Sequence, residues 1–227
     1  MAPVAGPVWR RAVSEGLGTA LLLSTIVGSG IMGNRLSGGD AAMTLLVNSM
    51  ATGLMLAVLI MILAPLSGAH LNPAVTLLEA LQGRATWREL AFYVAGQILG
   101  AFLGVAIAHL MFGQDVFTVS RHARAGAAQL LSEFIATFGL LTVLRGTARR
   151  HPDVTALAVG GYIAAAYWFT ASTAFANPAV TLARCVTDTF AGIRPQDAPG
   201  FLVAQLLGAA AATSLFSWLD RKQPEQP

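Results

Sequence analysis

Apolar residues fall into six long blocks separated by short polar or glycine-containing breaks. The blocks are about Val13–Met32, Met43–Leu66, Leu90–Phe112, Ala127–Leu144, Val154–Thr173 and Ala198–Leu219. A helix needs roughly 17–25 mostly apolar residues to cross a bilayer, and each block falls in that range. Two further apolar runs, between the second and third blocks and between the fifth and sixth, are too short to cross. Both open on the same pattern, His70-Leu71-Asn72-Pro73-Ala74-Val75-Thr76-Leu77 and Phe175-Ala176-Asn177-Pro178-Ala179-Val180-Thr181-Leu182. Asn is a good helix N-cap and Pro is favoured at the first helical position. Each run is therefore predicted to be a half-helix that begins inside the membrane. One such half-helix in each half of a chain points to a pore or a transport site.

Composition settles the class. Charged residues make up 11% of the chain, against about 25% in a soluble domain, and mean hydropathy is +0.64. The partner is a lipid bilayer. With no basic stripe interleaved with aromatics, no nucleic acid is expected. The first block has no typical cleavage site and reads as a retained span. With both termini inside, Arg10, Arg11, Arg84, Arg88, Arg145, Arg149, Arg150, Arg221 and Lys222 are internal, nine residues; Arg35, Arg121, Arg124, Arg184 and Arg194 are external, five residues. The positive-inside rule then predicts cytoplasmic termini in the cell (inner) membrane. The stretch from Arg221 to Pro227 reads as a short solvated end. The single cysteine, Cys185, excludes an intrachain disulfide. His109, His122 and His151 lack metal-ligand spacing, so neither metal nor cofactor is expected.

The halves echo each other. Ser14-Glu15-Gly16-Leu17-Gly18-Thr19 returns as Ser132-Glu133-Phe134-Ile135-Ala136-Thr137, and Ala95-Gly96-Gln97-Ile98-Leu99-Gly100 as Val203-Ala204-Gln205-Leu206-Leu207-Gly208. Three spans per half is an odd number, so the second half enters from the opposite side. The expectation is one transmembrane domain over residues 1–227, with inverted repeats of roughly 12–112 and 127–220. The half-helices then meet tip to tip near the midplane. Small residues at Gly96, Gly100 and Gly104, and at Ala204, Gly208 and Ala212, allow close helix approach. Glu15 and Glu133 occupy matched positions. An acid inside a span suggests a proton relay. The alternative is architectural: each carboxylate accepts hydrogen bonds from backbone N–H groups freed where the chain breaks into a half-helix.

Six spans, inverted halves and two Asn-Pro-Ala half-helices, with Ser67-Gly68-Ala69-His70 preceding the first, resemble the aquaporin or major intrinsic protein family along roughly the whole chain. The resemblance implies an all-α membrane fold of six transmembrane helices and two re-entrant half-helices, a passive channel, and a homotetramer with one pore per subunit. It places Asn72, Pro73, Ala74, Asn177, Pro178 and Ala179 at the pore centre. Carbonyls of Gly68, Ala69, His70 and Leu71, then Thr173, Ala174, Phe175 and Ala176, are implied to form a polar ladder. Opposed helix N-termini raise a barrier to protons and cations, and each Asn can cap its helix while offering its NH₂ group to the lumen.

The chain departs from the family at the selectivity filter. The arginine usual three residues after the second Asn is replaced by Val180. Matching the other filter positions by their distance from the motifs gives Thr52, Ala165, Ala174 and Val180. Such a ring is wide and mostly apolar, and suits solutes larger than water. The run Ala166-Tyr167-Trp168-Phe169-Thr170 before the second motif resembles a bacterial subgroup associated with arsenic resistance. That resemblance implies passage of small neutral solutes: arsenous acid, methylated arsenicals, glycerol-like polyols and water. Arg184 stands one turn beyond Val180. It is a vestibule candidate that partly replaces the missing charge; the competing reading is a basic end snorkelling to the interface. Arg121 and Arg124 have two readings, lining the outer mouth or, the preferred one, ordinary solvated loop charges, and Tyr167, Trp168 and Phe169 read as packing or interface anchors. A water-selective channel and an ion-coupled transporter remain alternatives. The transporter would need acids at the half-helix tips, and Glu15, Glu79 and Glu133 are not there. No nucleophile–base pair suggests an enzyme.

Overall fold

The computed structural model describes residues 6–148 and 150–219; Arg149 and the stretch from Arg221 to Pro227 lie outside the described residues. Eight helices follow in order: α1 (Val8–Leu36), α2 (Ala41–Ser67), α3 (Pro73–Leu81), α4 (Trp87–Met111), α5 (Ala127–Ala148), α6 (Pro152–Phe169), α7 (Pro178–Ala183) and α8 (Ala198–Leu219). Single 3₁₀ turns occupy Arg184–Val186 and Pro195–Asp197, and there is no strand among the described residues. Helices α1, α2, α4, α5 and α8 are long and apolar enough to cross a membrane. Helix α6, the sixth, has 18 residues, roughly 27 Å at 1.5 Å per residue. It stops at Phe169 rather than Thr173, because the chain turns extended at Thr170 to re-enter towards α7.

Local chemistry marks the starts. Asp40 caps α2 by accepting from Met43 N at 2.7 Å. Thr86 and Glu89 form a reciprocal capping box at α4. Pro73, Pro152 and Pro178 occupy first-turn positions where a missing N–H costs nothing.

The packing repeats with inverted halves. Helix α1 packs on α4 and α2, and α5 on α8 and α6; α3 lies on α4 and α8, α7 on α8 and α4. The α1–α4 crossing is as close as backbones allow: a Cβ at Gly100 would sit 2.1 Å from Gly16 O, and one at Gly104 2.2 Å from Ala20 O. Such contact replaces the hydrophobic driving force that lipid removes. Large apolar side chains such as Leu17, Leu54, Leu99 and Leu131 are left on the outer surface, where acyl chains cover them.

Candidate functional site: opposed half-helices and the cavity beside them

The tips of α3 and α7 touch through their own capping residues. Asn72 Oδ1 accepts from Ala74 N at 2.9 Å, while its Nδ2 donates to Ala176 O at 2.7 Å. Asn177 Oδ1 accepts from Ala179 N at 3.0 Å, and its Nδ2 donates to Leu71 O at 2.7 Å. Each amide thus caps one half-helix and ties it to the carbonyl before the other. One hydrogen of each NH₂ group is spent on that tie, leaving the second free.

The segments leading into the tips are held by the two buried acids. Glu15 takes four donors: Ser67 Oγ at 2.6 Å, His70 N at 2.9 Å, Leu71 N at 2.6 Å and Gln97 Nε2 at 2.8 Å. Glu133 takes three: Phe175 N and Ala176 N, both at 2.9 Å, and Gln205 Nε2 at 2.7 Å. Pulling successive N–H groups onto one carboxylate forces left-handed backbone, with φ of 49° at Ala69, 51° at Leu71, 61° at Thr173, 47° at Ala174 and 47° at Ala176. Positive φ at non-glycine residues is strained and persists only where the surroundings over-determine it. Leu71 and Ala176 carbonyls are engaged by the Asn amides, and the Ser172 carbonyl by Arg124.

A cavity of about 630 Å³ runs beside the tips, lined from Arg184 past Asn177 and Asn72 to Glu79 and Arg145. Because α3 and α7 run oppositely from their meeting point, lining by residues beyond both C-terminal ends means that the cavity follows both along their length. Gly68, Ala69, His70, Leu71, Ala174, Phe175 and Ala176 line it, whereas Thr173 does not; the Thr173 hydroxyl lies 3.3 Å from Arg124 Nη1. Of the four positions expected at the filter, Thr52, Ala174 and Val180 are buried and line the cavity. Ala165 is exposed and lines nothing. Helix α6 presents Val159, Ile163 and Tyr167 to the cavity at four-residue spacing. Ala165 is two residues, about 200°, from either neighbour on that face. Tyr167 lies on the cavity face instead, with its hydroxyl 3.3 Å from Thr52 Oγ1. Trp168 and Phe169 are on the exposed side of α6.

The two ends of the cavity are both charged. Arg184 is 1% exposed, which excludes a snorkelling end; its guanidinium lies 3.4 Å from the Phe175 ring centroid and donates to Ala191 O. Arg124 is also buried near Phe175, 5.0 Å from its ring centroid. Its guanidinium donates to the carbonyls of Gly192 at 2.8 Å, Ser172 at 3.0 Å and Phe190 at 3.3 Å. It is a clasp rather than a solvated charge, and nothing in a loop sequence distinguishes the two. Arg121 is exposed. At the other end Glu79 pairs bidentately with Arg84 at 2.6 and 2.7 Å and lies 3.5 Å from Arg145. Cys185 falls in the 3₁₀ turn after α7 rather than in α7 itself, and is buried. The described residues contain no metal-binding cluster of His, Cys, Asp and Glu.

Paired, inverted half-helices beside a cavity have a counterpart among known proteins. The family model described as Major intrinsic protein matches residues 4–154 and 148–226. The chain belongs to the major intrinsic protein family. It is 54% identical over 218 residues to aquaglyceroporin AqpS of Rhizobium meliloti (strain 1021), covering 96% of this chain and 92% of that protein. Aquaporin NIP1-1 of Arabidopsis thaliana is 31% identical over 229 residues, 94% of this chain and 75% of that one. The X-ray structure of the aquaglyceroporin from Plasmodium falciparum superposes with a TM-score of 0.70 at 22% identity, covering 92% of this chain and 96% of that one, which shows the shared fold. As a major intrinsic protein the chain is a multi-pass membrane channel, passive and not an enzyme.

Proposed function

We propose that this major intrinsic protein is an aquaglyceroporin-type channel that conducts small uncharged solutes through the cavity beside α3 and α7, with water, glycerol-like polyols, arsenous acid and methylated arsenicals as its substrate range. The observation that carries this reading is Val180, buried in the cavity wall where the family resemblance implies an arginine. A ring of Thr52, Tyr167, Ala174 and Val180 offers two hydroxyls and two apolar walls. It selects by size and modest hydrogen bonding rather than by a fixed charge at that level. The half-helix tips then supply the barrier: backbone N–H groups and the free Asn72 and Asn177 amide hydrogens face the solute, while the free carbonyls before each motif accept from it. Glu15 and Glu133 have an architectural role, because backbone and side-chain donors use their oxygens. Arg184 stands beyond the ring, at its vestibule side.

The channel is further proposed to sit in the bacterial inner membrane as a homotetramer with cytoplasmic termini. The Arg184 end then faces outward and the Glu79–Arg84–Arg145 end inward. Stopped-flow shrinkage of proteoliposomes tests the filter. Val180→Arg is expected to lower glycerol and arsenous acid permeability by about tenfold or more relative to water, because it narrows the ring and adds strong donors. Unchanged glycerol and arsenous acid flux would remove Val180 from the constriction.

A further inference from the structure

Arg184 is a buried cation without an anion. No carboxylate lies within 4.0 Å of its guanidinium among the described residues. Its Nε is used by Ala191 O, yet its Nη1 has no hydrogen-bond partner, and the side chain lines the cavity. A guanidinium stays charged, and an uncompensated buried charge is costly. The other guanidinium near the Phe175 ring does not relieve it, since Arg124 is a second cation and is itself held by three carbonyls.

The rest of the lumen does not restore balance. Three arginines, Arg84, Arg145 and Arg184, line it against one acid, Glu79, which is already paired to two of them. The other membrane-embedded acids, Glu15 and Glu133, do not line the cavity. The fixed charge along the path is therefore positive, and Arg184, with its unpartnered Nη1, shares the cavity wall with apolar Val180 and Phe175 and with Thr52 and Tyr167.

We infer that Arg184 forms a luminal binding site for a small monovalent oxyanion, so that the channel passes such anions as well as neutral solutes. A planar, weakly hydrated anion matches the fork of guanidinium donors and tolerates the apolar wall; a divalent, strongly hydrated one does not. This inference rests on the cavity being the conduction path.

Nitrate is the probe, because it is planar, monovalent and stays ionised at neutral pH. Proteoliposomes carrying the full-length channel are placed in isosmotic potassium nitrate with a potassium ionophore, so that swelling reports anion entry; glycerol swelling is recorded on the same vesicles. Native channel is expected to pass nitrate well above protein-free vesicles and potassium sulfate not at all. Arg184→Gln is expected to lower the nitrate-to-glycerol permeability ratio by about tenfold or more, and Arg184→Lys to recover part of it, since a charge-assisted contact is lost in one and kept in the other. Glycerol entry without nitrate entry in native channel overturns the anion site alone. Loss of both overturns the conduction path as well. An unchanged ratio in Arg184→Gln also overturns the site, and the native measurement stands if that variant does not fold.

Discussion

The first and second half-helices begin alike and end differently. At their starts α3 and α7 share an Asn cap, a Pro in the first turn, a buried glutamate behind the preceding segment and a glutamine behind that. At their far ends the likeness stops. Helix α3 runs nine residues and closes on the Glu79–Arg84 ion pair. Helix α7 runs six and tightens into a 3₁₀ turn, and Arg184 and Arg124 are buried there beside the Phe175 ring. The tips must match because each completes the other's hydrogen bonding. The ends face opposite compartments and touch nothing symmetric, so they are free to diverge. Architecture is thus held by the repeat, and the proposed discrimination falls where the repeat breaks.

The comparison is broken most severely at the acids. Glu15→Ala and Glu133→Ala each strand two backbone N–H groups, an expected loss of roughly 2–6 kcal/mol at about 1–3 kcal/mol per group. Thermal unfolding in detergent should show both, with Glu15→Ala the larger because Ser67 also loses its 2.6 Å bond to the carboxylate. A milder Glu15→Ala would mean that the two supports are not equivalent. Next comes the clasp. Arg124→Gln is expected to cost about 2–3 kcal/mol through lost charge-assisted bonds, whereas Arg121→Gln, exposed in the same loop, should stay within about 0.5 kcal/mol; equal effects would make Arg124 an ordinary loop charge. The smallest effect sharpens the same end. Asp197 accepts from Arg194 Nε at 3.0 Å and from Arg124 N at 2.8 Å. Asp197→Asn should therefore cost up to about 1 kcal/mol in thermal unfolding. An unchanged midpoint would assign the stability of this end to other contacts.

Particular residues show where reading from the chain succeeds and where it stops. The starts of α3 and α7 were legible because an Asn cap and a first-turn proline act within a few residues. The echo of Glu15 by Glu133 was legible because a repeat copies its supports along with its spans. Ala165 illustrates the limit: counting back from Asn177 crosses the end of α6 and an irregular turn, and an error of two residues rotates a helical position by about 200°. Tyr167 was hidden for the same reason, since an aromatic near a span end looks the same whether it faces lipid or lumen. Arg124 gave no local signal, because its partners at Ser172, Phe190 and Gly192 are 48 to 68 residues away.

The amino-acid order by itself determined the spans, the inverted pairing of halves and the two Asn-capped breaks. Those follow from hydropathy, parity and capping, which are properties of short stretches. Only the tertiary structure decided which side chains share the cavity and that Arg184 is buried with an unpartnered donor. Rotation of a helix about its axis, and the burial of a charge by a distant loop, depend on contacts that no short stretch contains.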